Sequence, residues 1–116
     1  MKFKLDNYNK YRNNKVEYDG IIFDSKKEAK RYAELKLLER TGRIKELKRQ
    51  VPFTLIPKIL DQNGKCLQRA CKYYADFVYK FNGKLVVEDT KGVRTAEYKI
   101  KKKLMLYQHN IIIKEI

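Results

Sequence analysis

The stretch YYADFVYKFNGKLVVEDTK, residues 73–91, constrains the fold more than any other part of the sequence. Asn82-Gly83 lies between two runs of β-branched and aromatic residues, the signature of a two-residue hairpin turn with positive φ at both central positions. Side chains alternate between faces along a strand. Tyr74, Asp76 and Val78 are therefore expected on one face of the first strand, with Ala75, Phe77, Tyr79 and Phe81 on the other. Leu85, Val87, Asp89 and Lys91 share a face of the second strand. Counting outward from the turn pairs Phe81 with Lys84 and, in the same register, sets Asp76 opposite Asp89. Two facing carboxylates repel and raise one another's pKa unless a cation lies between them. Close carboxylates in an apolar hairpin are the oxygen-rich setting that Mg²⁺ prefers. Lys91, beside Asp89 on the same face, is placed to stabilise charge on a phosphate or to aid an attacking water; as a surface ion pair it would contribute little.

The flanking sequence supplies the remaining elements. Residues 16–23 read as a small hairpin across Asp19-Gly20. Ser25 with Glu28 three positions on is a capping box, opening a helix that runs to about Thr41. Ala29, Tyr32, Ala33 and Leu37 form its apolar face, and Gly42 is its stop. Residues 44–59, IKELKRQVPFTLIPKI, read as an irregular or edge strand, because Pro52 and Pro57 cannot donate to a ladder. A turn at 61–64 leads to a long strand over about 65–80, the Asn82-Gly83 turn, and a third strand over 85–90. A second helix is expected from about Ala96 to Gln108, with Ala96, Ile100, Leu104 and Tyr107 as its buried stripe. A short strand at 111–114 closes the chain. The order is helix, three strands, helix, strand: a single small α/β domain over residues 16–116, with a mixed sheet flanked by helices. Residues 1–15 are expected to form a basic, flexible N-terminal arm.

Charge narrows the partners. Lys and Arg number 28 against 14 Asp and Glu, a net +14 that favours polyanions, nucleic acid above all. No apolar run approaches the length of a membrane span, and the N-terminus lacks a signal-peptide core, so a cytoplasmic protein without a membrane partner is expected. Cys66, Cys71 and His109 cannot complete a zinc site by themselves. The two thiols are expected to be idle, and His109 to complement the end of the second helix.

An acidic residue, any residue and then lysine occurs six times, beginning at Asp24, Glu28, Glu34, Glu46, Asp89 and Glu97. Position singles out Asp89, which ends a strongly apolar strand and faces an acid on the preceding one. With that placement, the element order and motifs resemble the PD-(D/E)XK (restriction-endonuclease-like) nuclease superfamily. The segments VEYDGIIFDSKKEAKRYAELKLLERTGRIKEL, YYADFVY and VVEDTKG are similar to a group of small phage and prophage proteins assigned to that superfamily. The resemblance implies Asp76, Asp89 and the Thr90 main-chain carbonyl as ligands of Mg²⁺ or Mn²⁺, and Lys91 as the active-site lysine. It implies a helix glutamate, Glu28, as a further catalytic group, although a cap alone explains Glu28; Glu34 is the fallback. Ala75 stands where the motif's name has proline. The implied function is a deoxyribonuclease acting on a phage replication, recombination or packaging intermediate, such as branched or single-stranded DNA, in an infected or lysogenic bacterial host, with a homodimer as one arrangement. Lys26, Lys27, Arg31, Arg94, Lys99, Lys102 and Lys103 are candidate DNA contacts, with Lys99 or Lys103 nearest the scissile phosphate. A non-catalytic nucleic-acid-binding module and a basic phage protein that docks on a host protein are the alternatives.

Overall fold

The turns fix the order of the elements. The computed structural model describes residues 4–5, 15–91 and 93–116, so the expected arm over 1–15 falls outside the described residues except for 4–5 and Lys15. β1 (Lys4–Leu5) pairs antiparallel with β2 (Val16–Tyr18). Asp19 and Gly20, φ 55° and 75°, turn β2 into β3 (Ile21–Phe23) as the sequence predicts. Ser25 then caps α1 (Lys26–Arg40), its hydroxyl accepting the Glu28 N–H at 3.1 Å. Ser25→Ala should cost about 1 kcal/mol of stability by removing that acceptor, read as a lower urea midpoint with an unchanged slope.

β4 (Lys45–Ile56) is an edge strand of a four-stranded sheet, where Pro52 is tolerated. The chain continues through β5 (Ile59–Leu60) and β6 (Cys66–Gln68), a two-stranded hairpin of their own. β7 (Cys71–Phe81) and β8 (Lys84–Asp89) follow, joined by Asn82 and Gly83 at φ 51° and 77°. They pair from Phe81↔Lys84 to Phe77↔Glu88, the register counted from the turn. α2 (Ala96–His109) and β9 (Lys114–Glu115) close the chain, β9 lying parallel to β8. The sheet order β4-β7-β8-β9, with two helices among the described residues, makes this a single α/β domain with a mixed sheet. No helix among the described residues is long and apolar enough to cross a membrane.

Several expectations need correction. The long strand over 65–80 is two strands, broken at Arg69-Ala70, so Cys66 and Cys71 lie on separate strands. Ile56↔Cys71 and Ile59↔Gln68 bracket this break, setting Pro57, which has no N–H to give, across from it. The buried face of α2 carries Tyr98 and Met105, while Ile100 and Tyr107 are 59% and 84% exposed. The helix meets the sheet along a narrow line that the hydrophobic spacing did not locate. The last strand lies at 114–115 rather than 111–114: Ile113 is buried, but Ile112 faces solvent. On α1, Leu37 is likewise exposed and Leu35 buried.

Each helix covers its own cluster. α1 packs on Val16, Phe23, Phe77 and Tyr79; α2 packs on Leu55, Tyr73, Ala75, Val78 and Val87. Tyr73 and Ala75 thus face α2, whereas Phe77 and Tyr79, of the same parity, face α1. Strict alternation breaks at Asp76, correcting the expectation that Ala75 shares a face with Phe77 and Tyr79. β4 breaks at the matching rung. Gln50 lies between the pairs Arg49↔Phe77 and Val51↔Ala75, and it adopts left-handed backbone, φ 49°. Because both strands break together, the pairing register survives. That rung is where the polar site forms.

Candidate functional site

The N-terminus of α1, the broken rung of β4 and β7, and the end of β8 meet in a cleft of about 330 Å³. Asp24, Ser25 and Glu28 line it from the helix side, Gln50, Tyr74 and Asp76 from the strands, and Thr90 and Lys91 from the strand end. Glu28 is delivered there by its cap: Ser25 fixes the first turn, and Glu28 is 4% exposed.

Asp76 is held from two sides. Its Oδ2 accepts the Thr90 N–H and the Thr90 hydroxyl, both at 2.8 Å. Its Oδ1 accepts Gln50 Nε2 at 3.3 Å, and the same nitrogen donates to Glu28 Oε1 at 3.1 Å. The two carboxylates are therefore bridged by one amide. Burial pushes the Glu28 carboxyl up to about 7, helped by the negative charges of Asp76 and Asp24 and opposed by Arg49 and the Gln50 bond. Arg49 stands 3.8 Å from Glu28 Oε1, its guanidinium over the Phe23 ring.

Asp89 is placed differently. Its Oδ2 accepts the Tyr73 hydroxyl at 2.6 Å and its Oδ1 the Lys91 N–H at 2.8 Å. It is buried and is not among the residues lining the cleft. Burial raises its pKa, and the bonds from Tyr73 and Lys91 oppose that rise. By holding the N–H two residues on, Asp89 fixes the strand end that carries Thr90 and Lys91. The Lys91 ammonium lies 5.6 Å from the Tyr98 ring centroid, at the cation–π distance.

The strand ends bring Asp76, Thr90 and Lys91 together and the helix adds Glu28, but the β7–β8 pairs end at Phe77↔Glu88, so the expected pairing of Asp76 with Asp89 is not among them. Two residues that sequence reasoning missed are prominent. Gln50 joins the acids, but a glutamine in a polar strand carries no signal until its partner strand is known. Glu88 is fully buried, its two oxygens accepting Arg31 Nε and Nη2 at 2.8 and 2.7 Å, with the Tyr79 hydroxyl donating as well. Period two did announce Glu88: of two adjacent acids in an apolar strand, one must face each way.

The expected DNA contacts divide into two groups. Arg31 is tied to Glu88 and Glu34, and Arg94 and Lys102 both pair with Glu115. Those bonds, Arg94 foremost, hold Glu115 down at about 2. Lys26, Lys27, Lys99 and Lys103 are exposed. Glu34 bonds Arg31, and Glu46, the nearest rival acid, forms an exposed pair with Lys80. His109 is the last residue of α2, its Nε2 2.7 Å from the Thr54 carbonyl.

The cleft's donors fit a hard divalent cation in chemistry. They are oxygens, and Glu28 and Asp76 each lie within 3.3 Å of one nitrogen, whose hydrogens supply weakly the positive charge a cation supplies strongly. No group of three or more His, Cys, Asp or Glu among the described residues is placed to share one ion. Two carboxylates, Glu28 and Asp76, are thus the most the cleft offers to any one ion, with carbonyl and water oxygens left to complete a shell. No curated protein and no solved structure matches the chain. A family model does, over residues 8–115, and the chain belongs to that family, DUF1064, described as proteins of unknown function.

Proposed function

We propose that the protein is a metal-dependent deoxyribonuclease whose centre is the cleft between α1 and the β7–β8 strand ends. The observation that carries this reading is the convergence of Glu28, Asp76 and Lys91, from three separate elements, on one acidic cleft in a chain of net charge +14. A protein that only bound polyanions would gain nothing from paired carboxylates at that point.

Glu28 and Asp76 would hold Mg²⁺ or Mn²⁺, with the Thr90 carbonyl beside them. A divalent cation there supplies a polarised phosphate oxygen and a more acidic water. Asp76 is oriented by Thr90 and Gln50, so its carboxylate is set before substrate arrives. Lys91 presents its ammonium to the phosphate and stabilises charge as water adds to phosphorus and the bond to one sugar oxygen breaks. Asp89 positions Lys91 through the main chain. Asp89 is thus a positioning group here, in place of the direct metal ligand that the superfamily resemblance implies. The wider positive surface raises the local DNA concentration.

The test is incubation with linear, supercoiled, flapped and four-way DNA, with Mn²⁺ or with a chelator. Wild type should cleave at least one of these only with metal, and Asp76→Asn and Lys91→Ala should each lose about 100-fold or more in rate. Metal-independent cleavage, or full activity in Asp76→Asn, would remove the proposal.

A further inference from the structure

Beyond the broken rung, α1 no longer covers the sheet. Asp76, Tyr74 and Lys72 follow one another on one side of β7. Gln50, Pro52 and Thr54 follow on β4, with Pro52↔Tyr74 and Thr54↔Lys72 paired. Tyr74, Lys72, Pro52 and Thr54 are all exposed, while the alternating residues Val51, Phe53, Leu55, Tyr73 and Ala75 pack in the cluster under α2. Among the described residues, the ribbon therefore has one face buried and one bare, and the bare face leads straight out of the acidic cleft. Tyr74 belongs to both: it lines the cleft and is 55% exposed.

We infer that this bare face is a track for unpaired DNA, with Tyr74 stacking a base beside the cleft and Lys72 meeting a phosphate farther out. The inference rests on the nuclease reading of the cleft and names its substrate class: DNA with unpaired nucleotides next to the cut. Residues two apart on a strand are about 7 Å apart, so Tyr74 stands one such step from Asp76 and Lys72 a second. A tyrosine ring offers its face only to a base whose own face is open, as in a single strand. Inside a duplex, neighbouring base pairs occupy those faces. The track then runs into the β5–β6 hairpin segment, where Lys58, Lys65 and Arg69 are exposed. A second copy of the chain does not suit the face, because the copies would bring together surfaces of a protein carrying +14 each.

The experiment measures binding rather than cleavage, with Ca²⁺ in place of Mg²⁺. Fluorescence anisotropy would compare a labelled single-stranded oligonucleotide with its duplex, and a 2-aminopurine base would report stacking. Tyr74→Ala should weaken single-strand binding about 10-fold and abolish the 2-aminopurine quenching, leaving duplex binding unchanged; Tyr74→Phe should behave as wild type. Lys72→Ala should lower the salt slope of binding by about one. Unchanged single-strand affinity in Tyr74→Ala, or equal losses on single strand and duplex, would overturn the track. Tyr74-dependent stacking in a protein that cleaves nothing with Mn²⁺ would uphold the track and sink the nuclease reading alone.

Discussion

Arg31→Ala should destabilise the protein by about 3–5 kcal/mol, the cost of leaving a buried carboxylate without its cation. Glu88 has no solvent exposure, so its charge rests on the bonds from Arg31 and Tyr79. Among the described residues only the Tyr79 hydroxyl would remain on it, and that phenol is itself pushed up to about 12, by burial first and then by the Glu88 bond. Replacing both partners, as in Arg31→Leu with Glu88→Leu, should cost less than Arg31→Ala, because no charge is left behind. Urea unfolding of the three proteins decides the matter; a loss below about 1 kcal/mol in Arg31→Ala would show that the carboxylate is not held by this pair. The consequence reaches the cleft. Arg31 lies one turn after Glu28 on α1, and Glu88 immediately precedes Asp89. The ion pair thus locks the helix that carries one acid to the strand that sets Lys91.

That lock also marks what the sequence could reveal. The Asn82-Gly83 turn set the hairpin register, because a two-residue loop leaves one way to count, and Ser25 announced its helix, because a cap acts within one turn. Both signals are local. Gln50 is a contrary case: its meaning depends on β4 lying beside β7 with that rung opposite Asp76, a pairing across 26 residues that no local pattern specifies. The broken alternation at Asp76 was hidden for the same reason, since it takes a matching break in the partner strand. The apolar spacing placed Leu104 correctly against the core but misled at Ala96, Ile100 and Tyr107, which are exposed, because propensity for a stripe does not say whether anything lies against it. On α2 the contact surface is a narrow line through Tyr98 and Met105.

Glu28 should make the protein less stable as pH rises. Its carboxyl, ordinarily near 4.5, is raised to about 7 in the folded state, by burial first and then by Asp76 and Asp24. A raised carboxyl binds its proton more tightly folded than unfolded, so its stabilisation is complete below 4.5 and is lost as pH climbs through 7. The shift corresponds to a loss on the order of 3 kcal/mol between about pH 4.5 and pH 8. Glu28→Gln, neutral throughout, should escape that loss. The variant should therefore gain roughly 10 °C in Tm on wild type between about pH 5 and pH 8, beyond any constant cost of the substitution. Glu115, shifted downward to about 2, acts at lower pH and leaves this difference untouched. A divalent cation should substitute for the missing proton: Mg²⁺ should raise the wild-type Tm at about pH 8 and scarcely at pH 5, where protons compete. Neither Glu28→Gln nor Asp76→Asn should show that rise. A difference between wild type and Glu28→Gln that stays flat with pH would mean that Glu28 does not titrate in this range. A Mg²⁺ response equal in all three proteins would place the cation elsewhere than between these two acids.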